Sequence, residues 1–174
     1  YATYQAVDMS TTPLYVINAG NGTKVYDGNT VAAGLTFSTL GGPNGFTLGD
    51  LNPAPAFRTG SKNVGTYGTL IADAGNPTAY TSGGTRYAIG YFNTGTYAIT
   101  PKTLTPSAAD KVYDGTTTAA VAVAGAIAGD DLTASGNGSF ASKNVGTYSV
   151  SINNIVLGGL DAQGSGTAGR IPGR

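Results

Sequence analysis

Tyr148-Ser-Val-Ser-Ile152 alternates large apolar and small polar residues with a period of two, the pattern of a strand with one buried face. Val121 and Val123 alternate with Ala122 and Ala124 in the same way. Tyr87-Ala-Ile89 and Tyr97-Ala-Ile-Thr100 flank Phe92-Asn-Thr-Gly95, which predicts a hairpin. Turn signals recur about every 8–12 residues: Asp27-Gly28, Gly41-Gly-Pro-Asn-Gly45, Gly75-Asn-Pro77, Gly83-Gly84, Asp114-Gly115 and Gly136-Asn-Gly138. No amphipathic helix is evident, and stretches 34–51 and 124–132 have room for one helical turn each. The pattern predicts an all-β protein of short strands in sandwich-like or barrel-like units.

The chain also says the same thing twice. Lys24-Val-Tyr-Asp-Gly28 returns as Lys111-Val-Tyr-Asp-Gly115, and Ser61-Lys-Asn-Val-Gly-Thr-Tyr67 returns as Ser142-Lys-Asn-Val-Gly-Thr-Tyr148. Identical words in the same order, with spacers of different length, predict two copies of one folding unit. The expected division is a hairpin or strand at 1–18, a first repeat unit at 19–104 and a second at 105–174, together an elongated pair. The second unit lacks the closing hairpin that ends the first. Something like it stands at the front, where Tyr15-Val-Ile17 matches Tyr97-Ala-Ile99 and Tyr4 matches Tyr87.

Three explanations stay open. The chain is cut from a longer array; or its N-terminal strand, carrying Tyr4, Val7, Tyr15 and Ile17, completes the unfinished unit of another copy; or the glycine-rich tail hides a closing strand. A sheet missing a strand exposes unpaired N–H and C=O groups, which a donated strand satisfies. Head-to-tail donation does not close on itself and makes a fibre.

Composition narrows the chemistry. Among 174 residues the net charge is zero, and 10% of residues are charged. With no basic stripe, nucleic acid is not an expected partner. Histidine, cysteine, tryptophan and glutamate are absent, so a Ser-His-Asp or Cys-His set and thiolate metal sites are excluded. No apolar run reaches the length that spans a bilayer as a helix, and the start shows no signal peptide. The expectation is therefore a non-enzyme with no cofactor, no metal and no membrane insertion.

The repeated words themselves read first as structural turns. Gly28 and Gly115 supply a positive φ after Asp27 and Asp114, whose carboxylates accept from the backbone two residues on. Tyr26 and Tyr113 end a strand half-buried. Lys62-Asn63 and Lys143-Asn144 make a second turn, followed by a bend at Gly65 and Gly146. A sharper reading is an intramolecular isopeptide bond. Lys24 or Lys111 would join Asn63 or Asn144, with Asp27 or Asp114 holding the amine neutral. Asp130-Asp131, or Asp110 near Asp114, are weaker calcium candidates whose spacing matches no known loop. Eleven tyrosines offer a carbohydrate-binding surface if enough are exposed.

Lys111-Val-Tyr-Asp-Gly-Thr-Thr-Thr-Ala119, then Gly129-Asp-Asp-Leu-Thr133, then Ser139-Phe-Ala-Ser-Lys-Asn-Val-Gly-Thr-Tyr148 resembles the YDG-type repeat of large bacterial adhesins of the filamentous-haemagglutinin kind. The stretch from Tyr87 to Thr105 is similar to the strand and linker between such repeats and the related mostly-β-grasp repeats. The resemblance covers about residues 12 to 161. It implies a tandem β-sandwich or β-grasp-like module of an exported, cell-surface or secreted protein, acting as stalk or spacer, with no catalytic residues. The expected partners are neighbouring repeats or copies of itself, and a host or matrix surface. Departures are an insertion at 41–52, an unusual stretch at 70–84 and the missing end of the second unit. A self-assembling filament subunit and a carbohydrate-binding module are the rival expectations.

Overall fold

The computed structural model describes residues 13–162. These residues are almost wholly β, as the alternation predicts, with one 3-10 turn at Leu48–Asp50. The strands of the first half are β1 (Leu14–Ala19), β2 (Gly22–Val25), β3 (Phe37–Leu40), β4 (Phe57–Thr59), β5 (Gly65–Tyr67), β6 (Leu70–Ala72), β7 (Ala79–Ser82) and β8 (Thr85–Asn93). Those of the second half are β9 (Tyr97–Thr100), β10 (Thr105–Ala108), β11 (Thr118–Ala119), β12 (Val121–Ala124), β13 (Thr133–Phe140) and β14 (Val150–Gly158).

The chain divides into two compact units, but not at the position the repeats suggest. Unit 1 holds the described residues up to Lys24, then Thr30–Ser61 and Thr66–Ala98. Unit 2 holds the described residues from Ile99 onward together with Val25–Asn29 and Lys62–Gly65. The expected boundary at 104/105 thus lies at 98/99, and two short words of the first copy fold with the second half.

Unit 1 is built on a four-stranded sheet of order β3-β1-β8-β7. Strand β1 runs parallel to β8 and antiparallel to β3. Tyr15, Ile17 and Ala19 alternate into the core, each 3% exposed or less. The insertion at 41–52 covers this face: Phe46 meets Tyr15 edge-on at 4.7 Å and Tyr80 at 4.4 Å, while Leu51 is buried beside them. Aromatic pairs at such spacings add to burial. Asp50 closes the turn by accepting from the Thr47 N–H at 2.6 Å. A smaller sheet pairs β4 with β6, and buried Asn76 bonds both the N–H and the C=O of Ala56 at 2.8 Å.

Two features correct the expected topology. Strand β8 does not fold back on β9. It pairs with β7 through Gly83 and Gly84, whose φ values of 55° and 80° make a two-residue turn of primed type. After β8 the chain turns sharply, because Gly95 packs directly on Gly20, and a Cβ there would fall 2.1 Å from the Gly20 carbonyl carbon. The turn delivers β9 to a different sheet, of order β2-β9-β5. The predicted hairpin over Tyr87–Thr100 is therefore two strands of two sheets.

The second correction concerns the N-terminal strand. Of its four named residues, Tyr4 and Val7 lie outside the described residues. Tyr15 and Ile17 sit in β1, paired along both edges within the chain. A strand already bonded on both sides has no edge to offer another copy. The glycine-rich tail from residue 163 also lies outside the described residues.

Unit 2 contains the ladder β11-β13-β14 and the pair β10-β12. β11 and β12 are nearly one strand, which changes sheets at Ala120. Gly138 admits the close approach of β11, since a Cβ there would lie 2.8 Å from the Ala119 carbonyl oxygen. Tyr26, Ile99, Leu104 and Ala119 are its buried apolar residues.

Candidate functional site

The two copies of each word are identical in sequence and opposite in environment. Their turns agree. Gly28 and Gly115 have φ of 78° and 76°. Asp27 Oδ1 accepts from the Asn29 N–H at 3.2 Å, and Asp114 Oδ1 from the Thr116 N–H at 2.9 Å. In the second word the ion pair is local: Lys111 Nζ donates to Asp114 Oδ1 at 2.7 Å and to both oxygens of Thr116 at 2.8 Å. The Lys111 ammonium, with the Thr116 N–H and hydroxyl, pulls the Asp114 carboxyl down to about 2.

The first words are anchored at Tyr26 and Lys62. Tyr26 is 2% exposed, and its N–H donates to the Thr100 carbonyl at 2.8 Å. Lys62 Nζ donates to Asp161 Oδ1 at 2.5 Å and reaches Asp130 Oδ1 at 3.4 Å. The Asp130 side chain is only 6% exposed. Lys62 keeps that carboxylate from being a buried charge without a partner. Asp161 is held below the usual carboxylate range, first by Lys62 and then by its backbone contact with Asp131. The same contact, with lesser help from Tyr26 and Asp130, holds the Lys62 ammonium well above the usual lysine value. Burial pushes the Tyr26 phenol up, with neighbouring Asp130 adding to it.

Backbone geometry fixes these acids. The Asp161 N–H donates to the Asp131 carbonyl at 3.0 Å, and Asp161 Oδ2 accepts from the Asp131 N–H at 2.9 Å. Gly159, at φ 97°, lies so close to Asp131 that a Cβ would stand 2.2 Å from its carbonyl oxygen. Gly28 packs on Ile127 and Asp130 in the same spirit, at 3.2 and 3.4 Å from a virtual Cβ.

The second words are open. Val112 is 90%, Tyr113 61% and Val145 86% exposed. Lys143, Asn144 and Gly146 are exposed too. Asn144 caps its own turn by donating its N–H to Ser142 Oγ at 3.1 Å. Between the words lies a groove of ≈ 340 Å³ lined by Lys111, Tyr113, Phe140, Lys143, Val145 and Tyr148. The Lys111 ammonium stands 5.8 Å from the Phe140 ring centroid.

Other candidates fare as follows. For the isopeptide set, Lys24 Nζ donates to the Val31 carbonyl at 2.8 Å and Lys111 is engaged by Asp114 and Thr116. Lys111, an ammonium held in an ion pair, is no nucleophile in that state. Asp130, a calcium candidate, spends its carboxylate on Lys62, and Asp131 Oδ2 accepts from the Leu160 N–H at 3.2 Å. Of the described tyrosines, Tyr113 alone is exposed; Tyr15, Tyr26 and Tyr97 are buried and the rest intermediate. They form no aromatic platform for a sugar among the described residues. Sequence reasoning missed Asp161 as the main partner of Lys62. Ninety-odd residues separate the two, and nothing local marks a turn aspartate as a long-range partner.

No curated protein and no solved structure matches the chain. Residues 100–164 match the family model of the YDG domain, a stretch that begins where unit 2 takes up the chain and contains the second copy of both words.

Proposed function

We propose that the chain is a structural and adhesive module of a bacterial surface or secreted fibrous protein, a stalk or spacer, outside the cell and without catalytic activity. The observation that carries this reading is the use of the repeat. The first words, Val25–Asn29 and Lys62–Gly65, fold with the residues that follow Ile99 and are locked there by backbone and ion-pair contacts. The words of the first copy are thereby built into unit 2, as expected where successive repeats share structure. The YDG match over residues 100–164 supports it.

Antibodies raised against the folded chain, applied to intact and permeabilised cells of its source, test the location. Labelling of intact cells, removed by external protease, is expected. Labelling only after permeabilisation overturns the reading.

A filament subunit is the second reading, favoured by the open groove of the second words. In that reading Tyr15 and Ile17 must first leave β1.

A further inference from the structure

In the first copy a strand runs between the two words. The segment leading into Tyr26 is β2, the segment leaving Val64 is β5, and β9 lies between them in the order β2-β9-β5. Backbone bonds hold β9 at both ends of this slot: the Gly22 N–H donates to the Thr96 carbonyl at 3.1 Å, and the Tyr26 N–H to Thr100 at 2.8 Å. The β9 residues Tyr97 and Ile99 are 0% and 2% exposed.

In the second copy, residues 109–112 and 146–148 stand where β2 and β5 stand in the first. They share Lys-Val and Gly-Thr-Tyr, while Ala109-Asp110 stand in place of Gly22-Thr23, and neither segment is a strand. The identical Gly-Thr-Tyr in unequal states puts part of the cause outside the words. Among the described residues, the first copy has a strand between these segments and the second has none. Where β9 lies in the first copy, the second has the groove lined by Tyr113, Val145 and Tyr148, with Val145 86% exposed. Exposed backbone edges beside apolar pockets are what strand addition uses: main-chain bonds supply affinity and alternate side chains supply specificity.

We propose that this groove is the docking site for one extended segment of β9 type, an aromatic or large apolar residue followed two positions later by Ile, supplied by another unit of this repeat. The segment enters between 109–112 and 146–148, turns both into strands and accepts from the Tyr113 N–H as Thr100 of β9 accepts from the Tyr26 N–H. Ala109 stands where Gly22 leaves room for the Tyr97 ring, 2.8 Å from a virtual Cβ. A Leu in place of that Tyr is therefore accepted at least as well. The nature of the occupant rests on the reading of the chain as a repeat module; the groove does not.

The test is titration of the full chain with a fluorescent peptide of sequence 94–102 and its Tyr97→Leu version, with amide hydrogen exchange as a second readout. Saturable binding is expected, with new protection at 109–112 and 146–148. A scrambled peptide should fail. Val145→Asp and Tyr113→Ser, at exposed positions that leave the fold intact, should each weaken binding by about tenfold or more. Absence of binding by both peptides, equal binding of the scrambled one, or indifference to both variants overturns the proposal. Self-association of the chain that the peptide does not reverse also overturns it, because another surface then fills the groove. Peptide binding reads the groove wherever the protein resides, and cell labelling reads its location whatever the groove binds, so the two failures are distinguishable.

Discussion

Tyr26 and Tyr113 sit in the same five-residue word, and one is 2% exposed while the other is 61%. Lys62 and Lys143 share a seven-residue word; the first is tied to two aspartates far along the chain, the second is exposed. The turns inside both copies of the YDG word are alike, down to the Asp carboxylate and the left-handed glycine. Local sequence therefore decides the turn and stops there. Strand state goes with the segment between the words, and the ion pairing of Lys62 with Asp130 and Asp161 farther along the chain.

The sharpest way to break this comparison is paired truncation. Tyr26→Ala should destabilise unit 2 by about 3–5 kcal/mol, the size of a large aromatic removed from a core. Tyr113→Ala should stay within about 0.5 kcal/mol, as exposed substitutions do. Urea unfolding of the two variants reads the difference, and equal losses would mean that the second word is covered in solution.

A smaller contrast is expected from Lys62→Met against Lys143→Met. The first leaves Asp130 buried without its cation. It should lower the thermal midpoint and speed hydrogen exchange at 127–131 and 159–161. The second should change neither. If Lys143→Met proves as harmful, a carboxylate partner for Lys143 exists in solution.

The all-β class was readable because alternation and the recurring Gly turns are local signals, although of Tyr148–Ile152 only Val150–Ile152 lies in a strand. Val121–Ala124 forms the strand its pattern predicts. The hairpin over Tyr87–Thr100 was misread because Gly95 looks like any hairpin glycine. Its role is to let the backbone pass Gly20, a contact that no local pattern encodes. The unit boundary was misread for a related reason. Repeated words mark where a sequence period starts, whereas compactness depends on which segments pack, and the first words pack with residues beyond Ile99. The 41–52 insertion, a departure from the family pattern, is a cover for the β1 face through Phe46 and Leu51.

Acid provides a milder probe of the same contrast. Asp161 and Asp114 are both depressed, so each carboxylate stabilises the folded chain above the usual aspartate value. Each contribution is lost as pH falls through the lower folded value. Lys62 is raised, so its contribution is present below the usual lysine value and is lost only as strong alkali passes its folded value. As pH falls through its lowered folded value, protonation of Asp161 should release contacts between distant segments and increase exchange around Asp131. Protonation of Asp114 should disturb residues 111–116 alone, because its partners lie within five residues. Carbonyl-detected NMR titration separates the two. Simultaneous loss of both regions would show that the second word is coupled to the rest of unit 2.

The smallest expected effect is the most diagnostic of how Tyr26 is held. Its hydroxyl is buried and makes no hydrogen bond of acceptable geometry, although Asp130 and Lys62 stand beside it. A buried hydroxyl without a partner loses its water and gains nothing, so its removal carries no penalty. Tyr26→Phe should therefore leave stability within about 0.5 kcal/mol of the wild type or raise it slightly, and Tyr113→Phe should do nothing. The buried ring holds the first word in unit 2, and the two aspartates are the main partners of Lys62. A loss above about 1 kcal/mol for Tyr26→Phe alone would place the hydroxyl in a bond with Asp130 and make the anchor a three-membered network. Repeating the measurement in a Lys62→Met background separates these cases: an independent ring gives additive changes, and a shared network does not.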